Sequence, residues 1–437
     1  MLKNISAEIK HFNRQHHDFR ILVLTNMIYA LVLPVIDIFV AAYVMRNSND
    51  PTKVVIYQLT IYTGIPLTFL INGFLLNKFS IKTLYSIGMM LSGVSMMVMM
   101  SLKTLDLTGI GVAGIIMGMS FGFYWANRDY LALAITNDQN RNYYYGLETF
   151  FYTIIAVVIP ICIGWFIEIM GNKESVNLAY KIITAIVFVI TILASIFCFR
   201  GNFSNPKQQR FIFFKFDPYW NKLLLLASLK GLAQGYLVTA PAMLIMLLLG
   251  KEGALGTAQS VGAIIAAVLM YIIGRLAKPA HRLYIFGAGL ICFALAAIFN
   301  GAFFNATGVI IFMLFLLVAK PLLDLAYFPI QFNVIDILAR KEKRNEFAYI
   351  LNHEVGLYAG RFIGAGTFIF LAYYFSTEAA LRYAIIIIAL LQLLSLVVAK
   401  TIIRQGEEMI TELNEKNSQH GKIETDGHPA LSGMDSL

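Results

Sequence analysis

The sequence predicts an all-α polytopic membrane protein, with twelve transmembrane helices in two pseudo-symmetric six-helix bundles. Composition is the first reason: of 437 residues 58% are hydrophobic and only 14% charged, with a mean hydropathy of +0.70. A soluble domain carries roughly a quarter of its residues as charges. Length is the second: the apolar runs are about 20 to 30 residues, which suits helices rising 1.5 Å per residue across a hydrocarbon core about 30 Å thick. A membrane barrel would need short alternating strands instead, and lipid obliges each helical segment to satisfy its own backbone hydrogen bonds.

Taken in order, residues 1–19 form a polar, basic arm containing Lys3, Lys10 and Arg14, together with His11, His16 and His17. The apolar run that follows, Ile21 to Met45, is too long for the core of a cleavable signal and is expected to stay in the membrane. Spans 1 to 12 are expected at 20–45, 54–77, 82–101, 108–136, 143–170, 177–199, 221–249, 254–275, 283–304, 308–338, 346–374 and 380–403. The longest link, 200–220, separates a first bundle at 20–199 from a second at 221–403. The polar tail, 404–437, with Gly421, Gly427, Pro429 and Gly433, is expected to be disordered.

Lys and Arg are distributed unevenly. With the N-terminus inside, 23 of the 34 fall on the inner side, 7 on the outer side and 4 within spans. Basic residues gather in cytoplasmic loops, so both termini and the central loop are expected in the cytoplasm of a bacterial inner membrane. That bias accounts for the net charge of +9 without nucleic acid as a partner. Cys162, Cys198 and Cys292 all lie in apolar runs, with neither a disulfide framework nor a metal-ligand spacing. The Met-rich run from Met89 to Met100 has no Cys or His beside it to complete a metal path.

The halves resemble each other weakly. Gly73 to Lys82, followed by Leu84-Tyr85-Ser86-Ile87-Gly88, has a counterpart in Gly274-Arg275 to Lys278, followed by Leu283-Tyr284-Ile285-Phe286-Gly287. Arg141-Asn142 before span 5 likewise matches Arg344-Asn345 before span 11. Duplicated six-helix units are a transporter signature, with substrate bound between the repeats.

Twelve spans in two related sixes, a long central link and a Gly-to-basic turn after span 2 resemble the major facilitator superfamily over residues 20–405. That family's turn reads Gly-x-x-x-Asp-Arg-x-Gly-Arg-Lys. Here Gly73 and Lys82 agree, Lys78 replaces Arg, Asn77 replaces Asp and Ser80 replaces the second Gly. Asn77 can still accept hydrogen bonds at a helix N-terminus, but it lacks the charge. Of the span 5 pattern in the family's drug antiporters, Gly-x-x-x-Gly-Pro-x-x-Gly-Gly, only Pro160 and Gly164 are present, which argues against a standard drug antiporter. The resemblance implies alternating access and a central cavity lined by spans 1, 4, 7 and 10.

Each of those four spans carries charge, and a charge inside a membrane helix marks a functional site by default. Span 1 has Asp37 after Pro34; span 4 has Arg128 and Asp129 beside Trp125; span 7 has Lys230; span 10 has Lys320, Asp324 and Tyr327. Lys320 and Asp324 are one turn apart and can pair with each other or serve the cavity. Arg128 either lines or gates the cavity or bridges to Glu148 on span 5. Asp129 points about 100° away from Arg128, so one of the two is expected to face the cavity. On span 11 Glu354 and Arg361 share a face two turns apart, next to His353. Asp37, Asp129, Asp324 and Glu354 are the candidates for proton coupling, Glu148 and Arg361 for structural ion pairs. Tyr143 to Tyr145 read as an interfacial belt.

The expected function is secondary, proton-coupled transport of a small anionic or zwitterionic organic solute by a monomer embedded in the lipid bilayer. No cofactor, metal or catalysis is expected. The alternatives are a flippase for lipid or lipid-linked sugar and, in another class, a membrane-embedded transferase, for which His353-Glu354 is thin support.

Overall fold

A computed structural model describes residues 2–136, 140–173, 175–205, 213, 215–344 and 346–426. Among these, twelve helices are long and apolar enough to cross a membrane. Spans 1 to 6 are His17–Ser48, Pro51–Leu75, Ile81–Ser101, Leu107–Ala132, Tyr143–Lys173 and Val176–Phe199. Spans 7 to 12 are Pro218–Leu248, Glu252–Leu276, Arg282–Ala302, Ala306–Glu342, Ala348–Tyr374 and Thr377–Thr411. The end of the bundle where span 1 begins and span 12 ends is here the terminal face; the other end is the far face.

Local chemistry sets the helix starts. Asp50, Ser80, Asp106, Asp217, Asn305 and Ser376 each accept a backbone N–H of the first turn, and Pro51 and Pro218 stand just inside their helices. Large apolar side chains such as Leu67, Ile186, Val189 and Phe370 stay exposed on the outside, as lipid-facing surfaces do.

Small residues bring the helices together. A Cβ added to Gly118 of span 4 would sit 2.8 Å from Gly64 Cα of span 2, and one added to Gly360 of span 11 would sit 1.8 Å from Ser228 O of span 7. Such contact between backbones is how membrane helices pack when lipid removes the hydrophobic drive.

Spans 1 and 7 share an irregularity that the sequence reading did not contain. Span 1 is α-helical over His17–Ala30, carries a π-turn at Val35–Phe39 after Pro34, and resumes over Val40–Ser48. Span 7 runs over Pro218–Leu237, breaks at Val238 and Thr239, and restarts over Ala240–Leu248 with Pro241. In both, a proline without an N–H weakens the ladder in the far-face half.

The halves meet at the far face. Glu252 at the start of span 8 is buried, and its carboxylate accepts from Arg46 at the end of span 1 and, at 3.2 Å, from Tyr180 Oη of span 6. Arg46 also donates to Gly250 O at 3.0 Å, and Glu168 of span 5 accepts from Gly253 N at 3.1 Å. Gly164 and Gly256 let spans 5 and 8 touch there. Midway, Tyr62 Oη donates to Gln234 O at 3.1 Å. Among the described residues, no side-chain hydrogen bond or ion pair joins spans of the two halves at the terminal face.

The central link divides its loyalties. Asn205 accepts from Ile81 N at 2.8 Å and donates to Leu76 O and Phe79 O, whereas Lys215 and Asp217 bond Arg344 and Lys341 of the second half. Asn205 and Ser80 therefore cap span 3, the role expected of Asn77; Asn77 and Lys78 are exposed and Gly73 is buried. The tail is helical from span 12 to Asp426, where disorder was expected from 404 onward. Its Glu-rich stretch has helix preference of its own and simply extends the span. Residues 427–437 lie outside the described residues.

Candidate functional site

A cavity of about 700 Å3 lies between the halves. The π-turn of span 1 presents Asp37 to it, and span 10 presents Lys320. Both are exposed to the cavity. Neither has a hydrogen bond or ion pair among the described residues, although their charges act on one another across the space.

The other charges at the wall are matched. Lys230 Nζ donates to Asp324 Oδ1 at 2.8 Å and sits 4.0 Å and 4.1 Å from the ring centroids of Tyr327 and Phe328. Asp324 thus pairs with Lys230 across to span 7 and not with Lys320 one turn away. The two aromatic faces hold the Lys230 ammonium beside the carboxylate, an advantage Lys320 lacks. Behind that box, the Tyr327 hydroxyl lies 2.6 Å from Nε2 of the buried His353.

Arg361, expected to be purely structural, also lines the cavity. Its Nε donates to Gln234 Oε1 at 2.9 Å, its Nη1 lies 3.4 Å from Glu354 Oε2, and its guanidinium stacks over Tyr62 at 4.7 Å. Glu354 itself is outside the lining. Gln58, Gln234 and Gln259 supply amides at the wall. A search for charges passes over these glutamines; polar residues of any kind inside apolar runs would have found them.

Span 4 differs from expectation. It contributes Phe121 to the lining, while Trp125, Arg128 and Asp129 are absent from it, and spans 2, 5, 8 and 11 contribute instead. Arg128 is turned into the first bundle, where it holds Glu148 and, at 2.6 Å, Asp129 Oδ1, with Trp125 against the guanidinium at 5.2 Å. A guanidinium has five N–H donors in a wide fork, so one Arg serves two carboxylates although Asp129 leaves the helix in another direction. Glu148 also accepts from Asn26 at 2.8 Å and from the buried Tyr144 at 3.4 Å, and Tyr85 donates to Asn26. Tyr144 is thus part of this network and not of an interfacial belt.

Twelve spans around a central cavity, mostly apolar but set with charged and amide side chains, and halves joined by an ion-paired seam at one face define a membrane transporter of the secondary class. The chain belongs to the Major Facilitator Superfamily, whose family model matches residues 22–352. A relative in Bacillus subtilis strain 168, the uncharacterized protein YqgE, is 24% identical over 345 residues, 77% of this chain and 78% of that protein. A Geobacillus stearothermophilus protein, the uncharacterized protein in the sodM 3' region, is 22% identical over 172 residues, 39% of this chain and 80% of that one. Among solved structures, a bacterial homologue of the iron transporter ferroportin in an inward-facing state matches with a TM-score of 0.69 at 13% identity, covering 88% of this chain and 98% of that one. A bacterial homologue of the human drug peptide transporters PepT1 and PepT2 matches equally, with 0.69 at 11% identity and coverage of 90% and 99%. At such identities the likeness shows the fold alone.

Proposed function

We propose that the protein carries a small organic solute bearing an anionic group, alone or as a zwitterion, by proton-coupled alternating access. The observation that carries this reading is the unmatched pair of opposite charges, Asp37 and Lys320, one from each half, in the same central cavity. Lys230, Lys320 and Arg361 outnumber Asp37 and Asp324 at the wall, so the lining favours an anion, with Lys320 as its open partner. Asp37 is the lining carboxylate without a hydrogen bond or ion pair, and so the proton carrier of choice; Asp324 is engaged with Lys230, Glu354 with Arg361 and Asp129 with Arg128.

The surplus of basic residues at the terminal face supports a cytoplasmic location for it, in a bacterial inner membrane. The far-face seam then closes the site toward the outside, and the conformation is inward-open. One chain supplies the whole lining, which fits a monomer as the working unit.

The test is uptake into proteoliposomes across a panel of organic acids, amino acids, peptides and sugars under an imposed pH gradient. Asp37→Asn should abolish accumulation driven by the gradient while leaving solute exchange, and Lys320→Gln should weaken binding of the same solute. Gradient-independent transport in the unmodified protein, or full activity in both variants, overturns the reading.

A further inference from the structure

A second cavity, of about 500 Å3, opens at the far face of the first half, away from the central site. Lys53 from the first turn of span 2, Lys103 from the link between spans 3 and 4, and Lys181 near the start of span 6 converge on it. Asn47, Thr104 and Asn177 add amide and hydroxyl donors to the wall. Among the described residues no carboxylate lines this pocket, and none of its lysines has a hydrogen bond or ion pair.

Among the described residues, the nearby acids Asp50 and Asp106 are turned to helix starts. Asp50 Oδ1 accepts from Thr52 N at 2.9 Å and Asp106 Oδ2 from Gly109 N at 3.3 Å, each capping its own helix. Of the other basic side chains of the far face, Arg46 pairs with Glu252, Lys251 with Glu168 and Arg382 with Glu378, while Lys173 is exposed outside the pocket. Unmatched positive charge is therefore concentrated in one polar concavity. Span 6 reinforces it, because Ser175 at its N-cap makes no side-chain cap bond, and the first N–H groups and the positive end of the helix dipole add to the field at Asn177. Three ammonium groups around one space repel each other unless an anion sits among them.

We propose that this pocket binds a phosphate-bearing anion, held by the Lys53, Lys103 and Lys181 ammonium groups. Lysine suits that ligand, being a point charge on a flexible stem that adapts to phosphate oxygens. Two sources share this chemistry: a lipid headgroup in the outer leaflet and free phosphate in solution. The site does not depend on the identity of the transported solute.

Thermal unfolding of the full chain separates the sources. In one arm, protein in neutral detergent is titrated with inorganic phosphate against sodium chloride of equal ionic strength. In the other, it is placed in phosphatidylcholine vesicles with or without phosphatidylglycerol. Phosphate, phosphatidylglycerol or both should raise the melting temperature of the unmodified protein and of a K10Q/K278Q/K400Q control with the same change in net charge. The K53Q/K103Q/K181Q protein should bind about tenfold more weakly or worse, equivalent to ~1.4 kcal/mol. A response in the detergent arm assigns free phosphate, and one in vesicles alone assigns the headgroup. If neither anion stabilises the unmodified protein, or if the pocket variant responds as the control does, the proposal is overturned.

Discussion

At the scale of single residues, the decisive contrast is between Arg128 and Lys320. Both are basic side chains within spans, yet Arg128 is largely enclosed and holds the buried Glu148 and the exposed Asp129, while Lys320 stands open in the cavity. Removing one member of a buried pair strands the other, so Arg128→Met should destabilise by about 3 to 5 kcal/mol, and Arg128→Met with Glu148→Leu should recover most of it. Thermal unfolding of the two variants checks this. Equal stability of the single variant and the unmodified protein would remove the structural role of the pair. Lys320→Met should change the stability by no more than about 0.5 kcal/mol, as for a side chain with no matched partner.

At the scale of elements, the close approaches of spans 2 with 4 and 7 with 11 carry the bundles. Gly360 has Ser228 O of span 7 where a Cβ would go, and the nearest atoms there are all span 7 backbone, with no flexible side chain to give way. Gly360→Val should therefore lower the yield of folded protein sharply, whereas Gly366→Ala, with nothing within 4 Å, should not; fluorescence-detected size exclusion distinguishes them. The spans themselves were legible in the sequence because twenty consecutive apolar residues have few other uses. The π-turn at Val35–Phe39 was half legible, in that Pro34 announced a disturbance but not its form. The cap that Asn205 provides to span 3 was not legible at all, since it depends on a residue more than a hundred positions away returning to a helix start. The same holds at the site: Asp37, Lys230, Lys320 and Asp324 stood out as charges, but the choice of Lys230 as partner of Asp324 is a contact between helices that spacing along one helix cannot foresee.

At the scale of the whole molecule, the two halves are latched by the network around the buried Glu252. Glu252→Gln keeps the shape and removes the charge that Arg46 meets, so it should shift the population toward conformations open at the far face. A cysteine at position 259, in the Gln259→Cys protein, should then react faster with a membrane-impermeant thiol reagent applied from the far side than in the same protein with Glu252 intact. No change in rate would exclude the seam as a determinant of access.

The matched interruptions in spans 1 and 7 give that seam a mechanical character. Each divides a long rod into a shaft on the terminal side and a short stub bearing half of the latch surface: Arg46 ends one stub, and Gly250 and Glu252 follow the other. Parting the far face could then proceed by swinging two nine-residue stubs about their joints while the shafts hold position. Asp37 sits in one of those joints. A change in its charge would therefore act at the point about which that stub turns.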